Sequence, residues 1–141
     1  MSKVVSLRLK DGQVERLQRA ARRLGRTPSE AAALLLEEAL RQREFAFIEF
    51  RDSPVGRQAY LQGTRLKVWQ IVSLTRVYGG DVARIAADLE LPAVQVVAAL
   101  RYAAAYPEEI EAAIADNECT AADLERLIPN LRVVQVDAAA P

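Results

Sequence analysis

The first 44 residues set the tightest constraint on this chain, because they spell one short strand and two helices, too little to close a hydrophobic core alone. In Lys3-Val4-Val5-Ser6-Leu7-Arg8-Leu9-Lys10, alternation puts Val5, Leu7 and Leu9 on one face of a strand and Val4, Ser6, Arg8 and Lys10 on the other. Asp11-Gly12 is expected to end it. A helix follows from about Gln13 to Leu24, with Val14, Leu17, Ala21 and Leu24 as its apolar stripe and Gly25 as its stop. Arg16, Arg19, Arg23 and Arg26 run along the other side, which reads as a solvated face with long-range attraction for a polyanion. Thr27-Pro28-Ser29-Glu30 announces the next helix: a capping hydroxyl, a proline at the first helical position and a glutamate three residues after the cap. No Gly or Pro breaks that helix before about Glu44.

Two copies of this unit resolve the constraint. If the strands of two chains pair antiparallel, Val5, Leu7 and Leu9 of each face the helices, and the opposite face becomes a two-stranded ribbon of a size that enters a major groove. Val4, Ser6 and Arg8 then point at base edges. The charge distribution agrees: residues 1–44 carry ten Lys/Arg against six Asp/Glu, residues 45–141 nine against thirteen, although the whole chain is neutral. A polyanion is expected on the basic head. The other reading of the same pattern is a dimerisation ribbon that never meets DNA.

The "VSLRL" strand, the "GRTPSE" turn and the "ALLLEEALR" helix resemble the ribbon-helix-helix family over residues 2–44. The resemblance implies a dimer bound to operator DNA, its strand pair in the major groove and the N-terminus of the second helix on a phosphate. Carried over, Val4, Ser6 and Arg8 face the groove, and Thr27 with Ser29 forms the phosphate cap. Free backbone N–H groups and the helix dipole favour an anion at such a turn in any case.

Residues 45–67 change character. Phe45–Phe50 reads as a strand, Asp52-Ser53-Pro54-Val55-Gly56 as a turn and Gln58–Leu61 as a returning strand. Helices are then expected at about 68–78, 82–90, 93–105 and 107–116, with Asp81 as a cap and Gly79-Gly80, Pro92 and Pro107 as punctuation. "GRQAYLQGTRLKVWQIV" and "YGGDVARIAADLELPAVQVVAALRYAAAYPEEI" resemble the domain-of-unknown-function 433 family, a winged-helix-like module, over about residues 46–114; Gln58 departs from the family, which has proline there. Ile85–Pro92 with Val96 and Ala99-Leu100 has helix-turn-helix spacing, but the second of these helices offers only Gln95, Arg101 and Tyr102 as polar groups. A helix apolar nearly all round is expected to be buried, so this pair reads as a packing or oligomerisation module. Tyr60, Trp69, Tyr78, Tyr102 and Tyr106 read as core, and the carboxylates at 52, 81, 88, 108, 109 and 111 as caps and dipole partners.

Histidine is absent, which excludes a Ser-His-Asp triad, a Cys-His pair and a His-ligated metal; Cys119 is alone, which excludes an intrachain disulfide and a cysteine-based zinc site. The expectation is a non-enzyme with no cofactor and no metal. No apolar stretch is long enough to span a bilayer and no signal-peptide core is visible, so a cytoplasmic location is expected.

Residues 117–141 lack the periodicity of a domain yet carry Leu124, Leu127, Ile128, Leu131, Val133, Val134 and Val136, with a β-prone run at 132–136. Such a tail either takes a partner surface or packs back on its own chain. The expected fold class is therefore mainly α with short β: a ribbon-helix-helix module (1–44) that forms an intertwined dimer, a small helix-turn-helix, winged-helix-like module (45–116) and a tail (117–141). Together the two resemblances are similar to antitoxins of the VapB kind, which implies autorepression at operator DNA, a homodimer or higher homo-oligomer, no membrane, and a PIN-like ribonuclease toxin as partner. On that implication the toxin contacts fall to Arg126, Leu131, Arg132, Val134 and Val136. A plain transcriptional regulator without a toxin and a purely structural oligomerisation module remain the alternatives.

Overall fold

A computed structural model describes residues 1–118, 121–128, 130, 132 and 134. In chain order the elements are α1 (Asp11–Leu24), α2 (Pro28–Glu44), β1 (Ile48–Ser53), β2 (Gly56–Leu61), α3 (Val68–Val77), α4 (Val82–Asp88), α5 (Ala93–Ala105), α6 (Pro107–Asn117) and α7 (Ala121–Leu127). The fold is thus mainly helical with one two-stranded antiparallel sheet among the described residues. Among the same residues, no helix is long and apolar enough to cross a membrane.

Residues 1–10 form no strand in the single chain. An extended segment needs a second strand for its backbone hydrogen bonds, and none of the described strands pairs with it. Asp11-Gly12, expected to close that strand, instead opens α1: the Lys10 N–H donates to Gln13 Oε1 at 2.9 Å, and Asp11 puts a negative charge at the positive end of the helix. Gly25 ends α1 in the left-handed conformation, φ 63°, which lets the Arg26 N–H turn back to the Ala21 carbonyl at 3.0 Å. The capping box of α2 forms as its sequence requires. Thr27 N donates to Glu30 Oε2 at 2.9 Å and Glu30 N donates to Thr27 Oγ1 at 3.2 Å.

The first strand of the hairpin starts three residues later than its aromatic run suggests, because Phe47 sits at φ 61° and takes the chain out of the extended region. From Ile48 the register runs Ile48 opposite Leu61 to Ser53 opposite Gly56, linked by Pro54-Val55. Ser53 Oγ donates to the Gly56 carbonyl at 2.7 Å and closes the turn. Behind the hairpin, α3 to α6 enclose the core: Ile48, Leu61, Val68, Ile71, Ile85, Val96, Ala99, Tyr102, Ile110 and Ile114 are buried together. Trp69, Tyr78 and Tyr106 pack against its edge, as expected of aromatics in so small a body. The expectation of an all-round buried α5 is corrected. Val96, Ala99 and Tyr102 face the core, but Val94 and Val97 remain 59% and 51% exposed, since a core this thin covers only one side of the helix.

Helix α2 is fastened to this body by charge. Glu38, 6% exposed, receives a fork from Arg57: Nε to Oε1 at 2.9 Å and Nη2 to Oε2 at 2.7 Å. Arg57 also reaches Asp52 at 3.2 Å and the Phe50 carbonyl at 3.3 Å. One turn further, Arg41 pairs with Glu37 at 2.9 Å, donates to Tyr102 Oη at 2.8 Å and to Glu109 at 3.2 Å, and lies 3.7 Å above the Tyr106 ring. Tyr102 Oη in turn donates to Glu109 at 2.7 Å, and burial together with this bond to a carboxylate raises its pKa.

The tail expectations fall partly on undescribed positions. Leu131, Val133 and Val136 lie outside the described residues, and with them most of the expected run at 132–136.

Breaking the Glu38 pair is expected to be expensive. Arg57→Ala leaves a carboxylate buried without its cation and should cost roughly 3–5 kcal/mol of stability, read as a lower urea midpoint. Removing both charges with Glu38→Leu and Arg57→Met should cost much less. Equal losses in the single and double variants would show that side-chain packing, not the stranded charge, sets the cost.

Candidate nucleic-acid interface

The head exposes the residues that its alternation assigns to a ribbon. Val4, Ser6 and Arg8 are exposed and form no side-chain hydrogen bond or ion pair among the described residues. On the alternate positions Val5 and Leu7 are 78% and 70% exposed and Leu9 44%, although these are the side chains expected to be covered. Leu36 and Leu40 of α2, at 55% and 46%, leave a second apolar strip open. At 3.6 residues per turn both leucines lie nearly half a turn from Glu38, and Leu36 also from Arg41, while Leu40 is just over a quarter turn from Arg41. The side of α2 that meets the body is therefore satisfied, and its opposite side is not.

Thr27 and Ser29 stand within one turn at the start of α2, and among the described residues no hydrogen bond joins either to Val4, Ser6 or Arg8. The turn offers fewer free donors to the expected phosphate than the sequence suggests. Pro28 has no N–H, the Glu30 N–H is taken by Thr27 Oγ1 and the Ala31 N–H by the Thr27 carbonyl at 2.9 Å. The donors left at this turn are the Ser29 N–H and the two hydroxyls, beside the carboxylate of Glu30. The bonds from the Thr27 backbone and side chain, and then the Arg26 charge, hold the Glu30 carboxyl below its ordinary value of 4.5.

Most arginines of the body have a partner, with Arg65 and Arg101 as exposed exceptions among the described residues. In the body and at its junction with α2, Arg41, Arg57 and Arg76 are ion-paired, Arg51 pairs with Glu49, and Arg84 lies 4.7 Å from the Tyr78 ring. In the head Arg8, Arg16, Arg19, Arg22, Arg23 and Arg26 make no ion pair among the described residues. Arg16, Arg19, Arg23 and Arg26 do not simply face open solvent, as their helical spacing implies. They line two adjoining hollows of about 430 and 600 Å³ between α1, Leu34 and Leu35 of α2, and the hairpin residues Asp52, Ser53, Val55 and Arg57. Helical periodicity shows that these arginines share a face; that the tip of a distant hairpin walls it is a tertiary fact without a local signal.

Helix α5 keeps few polar groups free. Gln95 is half-buried and Arg101 exposed, with Val94 and Val97 near them on the surface. In the tail, Arg126 reaches Asp123 at 3.3 Å, while Arg132 and Val134 are exposed; Leu131 and Val136 lie outside the described residues. No family model, no curated protein and no solved structure matches the chain.

The cap yields a pH-dependent expectation. Because the Glu30 carboxyl is lower in the folded state than its ordinary 4.5, it stabilises the fold above that value and the contribution is lost as pH falls through the lowered one. Urea unfolding should therefore separate the native chain from Glu30→Ala at neutral pH, with the gap closing in acid. Thr27→Ala should cost about 1 kcal/mol at neutral pH. A gap between native and Glu30→Ala that persists unchanged into strong acid would mean that the carboxylate does not hold the cap.

Proposed function

We propose that the chain is a dimeric DNA-binding regulator of antitoxin type, in which residues 3–10 of two copies pair into a ribbon that reads an operator. The observation that carries this reading is the apolar surface that the head leaves open: Val5, Leu7, Leu9, Leu36 and Leu40 are all exposed in one chain. Each such side chain contributes roughly 1.5–3 kcal/mol when fully buried, so a second copy laid across them gains far more than a single surface contact. Antiparallel pairing of the two segments also satisfies the backbone groups left open in one chain, and turns Val4, Ser6 and Arg8 outward together. This is the arrangement implied by the resemblance to the ribbon-helix-helix family. Val94 and Val97 on α5 support a role for the winged-helix-like module in assembly rather than as a second reader of DNA.

The antitoxin half of the reading rests on the tail. Leu127, Ile128 and Val134 stay 66%, 48% and 79% exposed, and Arg132 is exposed beside them in the sequence. A PIN-like nuclease has an acidic metal site, and an arginine carried in on an apolar tail competes there with the magnesium its chemistry uses.

Arg8→Ala should weaken binding to the operator by roughly 1–3 kcal/mol and blur sequence preference, with helix content unchanged, as gel-shift titration and circular dichroism will read. Wild-type binding by that variant rejects the ribbon. Truncation after Asn117 should preserve DNA binding and abolish protection in cells that co-express the toxin. Survival of those cells would move the toxin contact to residues 45–116.

A further inference from the structure

We propose that the arginine row of α1, with the hollow between it and the hairpin, is a second nucleic-acid contact that grips the phosphate backbone of a duplex without reading its sequence. Arg16, Arg19 and Arg23 lie within about 60° of arc on the helix, and Arg26 continues the line past the turn at Gly25. Among the described residues none of the four has an ion-pair or ring partner, and all are exposed. Keeping Arg16, Arg19 and Arg23 as like charges along one helix face costs stability, which an anionic partner offsets. The acidic group in the wall, Asp52, is bridged by Arg57 at 3.2 Å and so opposes an incoming anion only weakly.

Geometry selects the partner. Arg16 to Arg23 covers roughly 10 Å of helix axis, a span over which flexible guanidinium side chains can reach two or three neighbouring phosphates of one DNA strand. Guanidinium forks suit phosphate oxygens. The floor of the hollow is aliphatic, Ala20, Leu24, Leu34 and Leu35, with no aromatic ring among its lining residues on which a base stacks. That favours the backbone of a duplex over a nucleotide or an unpaired strand.

The experiment compares the full chain with Arg16→Gln/Arg19→Gln/Arg23→Gln and with a control of equal charge change, Arg22→Gln/Arg43→Gln/Arg101→Gln, three exposed arginines that do not line the hollow. Binding to a 30-base-pair duplex of arbitrary sequence is measured across a salt series. The row variant should reduce the slope of log K against log salt by about 2–3, at roughly 0.9 for each phosphate that is no longer neutralised, and weaken operator and arbitrary duplex alike; the control should change the slope by less than about 1. A slope unchanged in the row variant overturns the proposal, as does an equal fall in the control, which would reduce the effect to net charge. Polyglutamate competing as well as duplex at equal charge also overturns it, and assigns the row to an acidic polypeptide. The ribbon is judged separately by Arg8→Ala: a row effect without an Arg8 effect rejects the ribbon and keeps the row.

Discussion

The fork between Arg57 and Glu38 decides which way α2 faces, and most of what the N-terminal half presents follows from that orientation. With Glu38 and Arg41 turned into the body, Leu36 and Leu40 are turned out, and α1 is carried on the flank where the hairpin tip can wall its arginines. A buried ion pair is a poor source of net stability, because desolvation of both charges offsets their attraction. Its worth here is geometric. An apolar contact at the same place would tolerate slippage of the helix, whereas a two-bonded fork does not.

The same junction explains why the charges divide as they do. Several arginines that meet the body are consumed by carboxylates and rings: Arg41 by Glu37, Glu109 and Tyr106, Arg76 by Glu111. Those on α1 and the N-terminal segment have nothing to meet among the described residues, so the basic excess of residues 1–44 remains available to a polyanion. The proposed ribbon and the proposed backbone grip draw on this one reserve, the first through Arg8 and the second through Arg16, Arg19 and Arg23.

Much of the local structure was legible in the sequence because it is set by neighbours in the chain. Gly25, the Thr27–Glu30 box, the Asp81 cap on the Arg84 N–H and the proline at the start of α6 each mark a boundary through a bond or a missing donor within a few residues. What escaped is set at a distance. Phe47 takes a left-handed backbone conformation that no propensity favours for an aromatic, and this delays β1. The partial exposure of α5 depends on how thin the core is, not on the helix's own composition. For the candidate site, alternation and capping nominate Val4, Ser6, Arg8, Thr27 and Ser29, whereas the hollow that Arg57 and Asp52 build beside α1 depends on packing between segments far apart in the chain.

The central claim is that residues 3–10 are one half of a structure completed by a second copy. Amide hydrogen exchange of that segment, followed as protein concentration is raised without DNA, tests it most directly. Pairing predicts that alternate amides between Val4 and Leu9 gain protection together with dimer formation, since every second N–H in an antiparallel pair points to the partner strand. Exchange that stays fast at every concentration, in a sample shown by sedimentation to be dimeric, would contradict it.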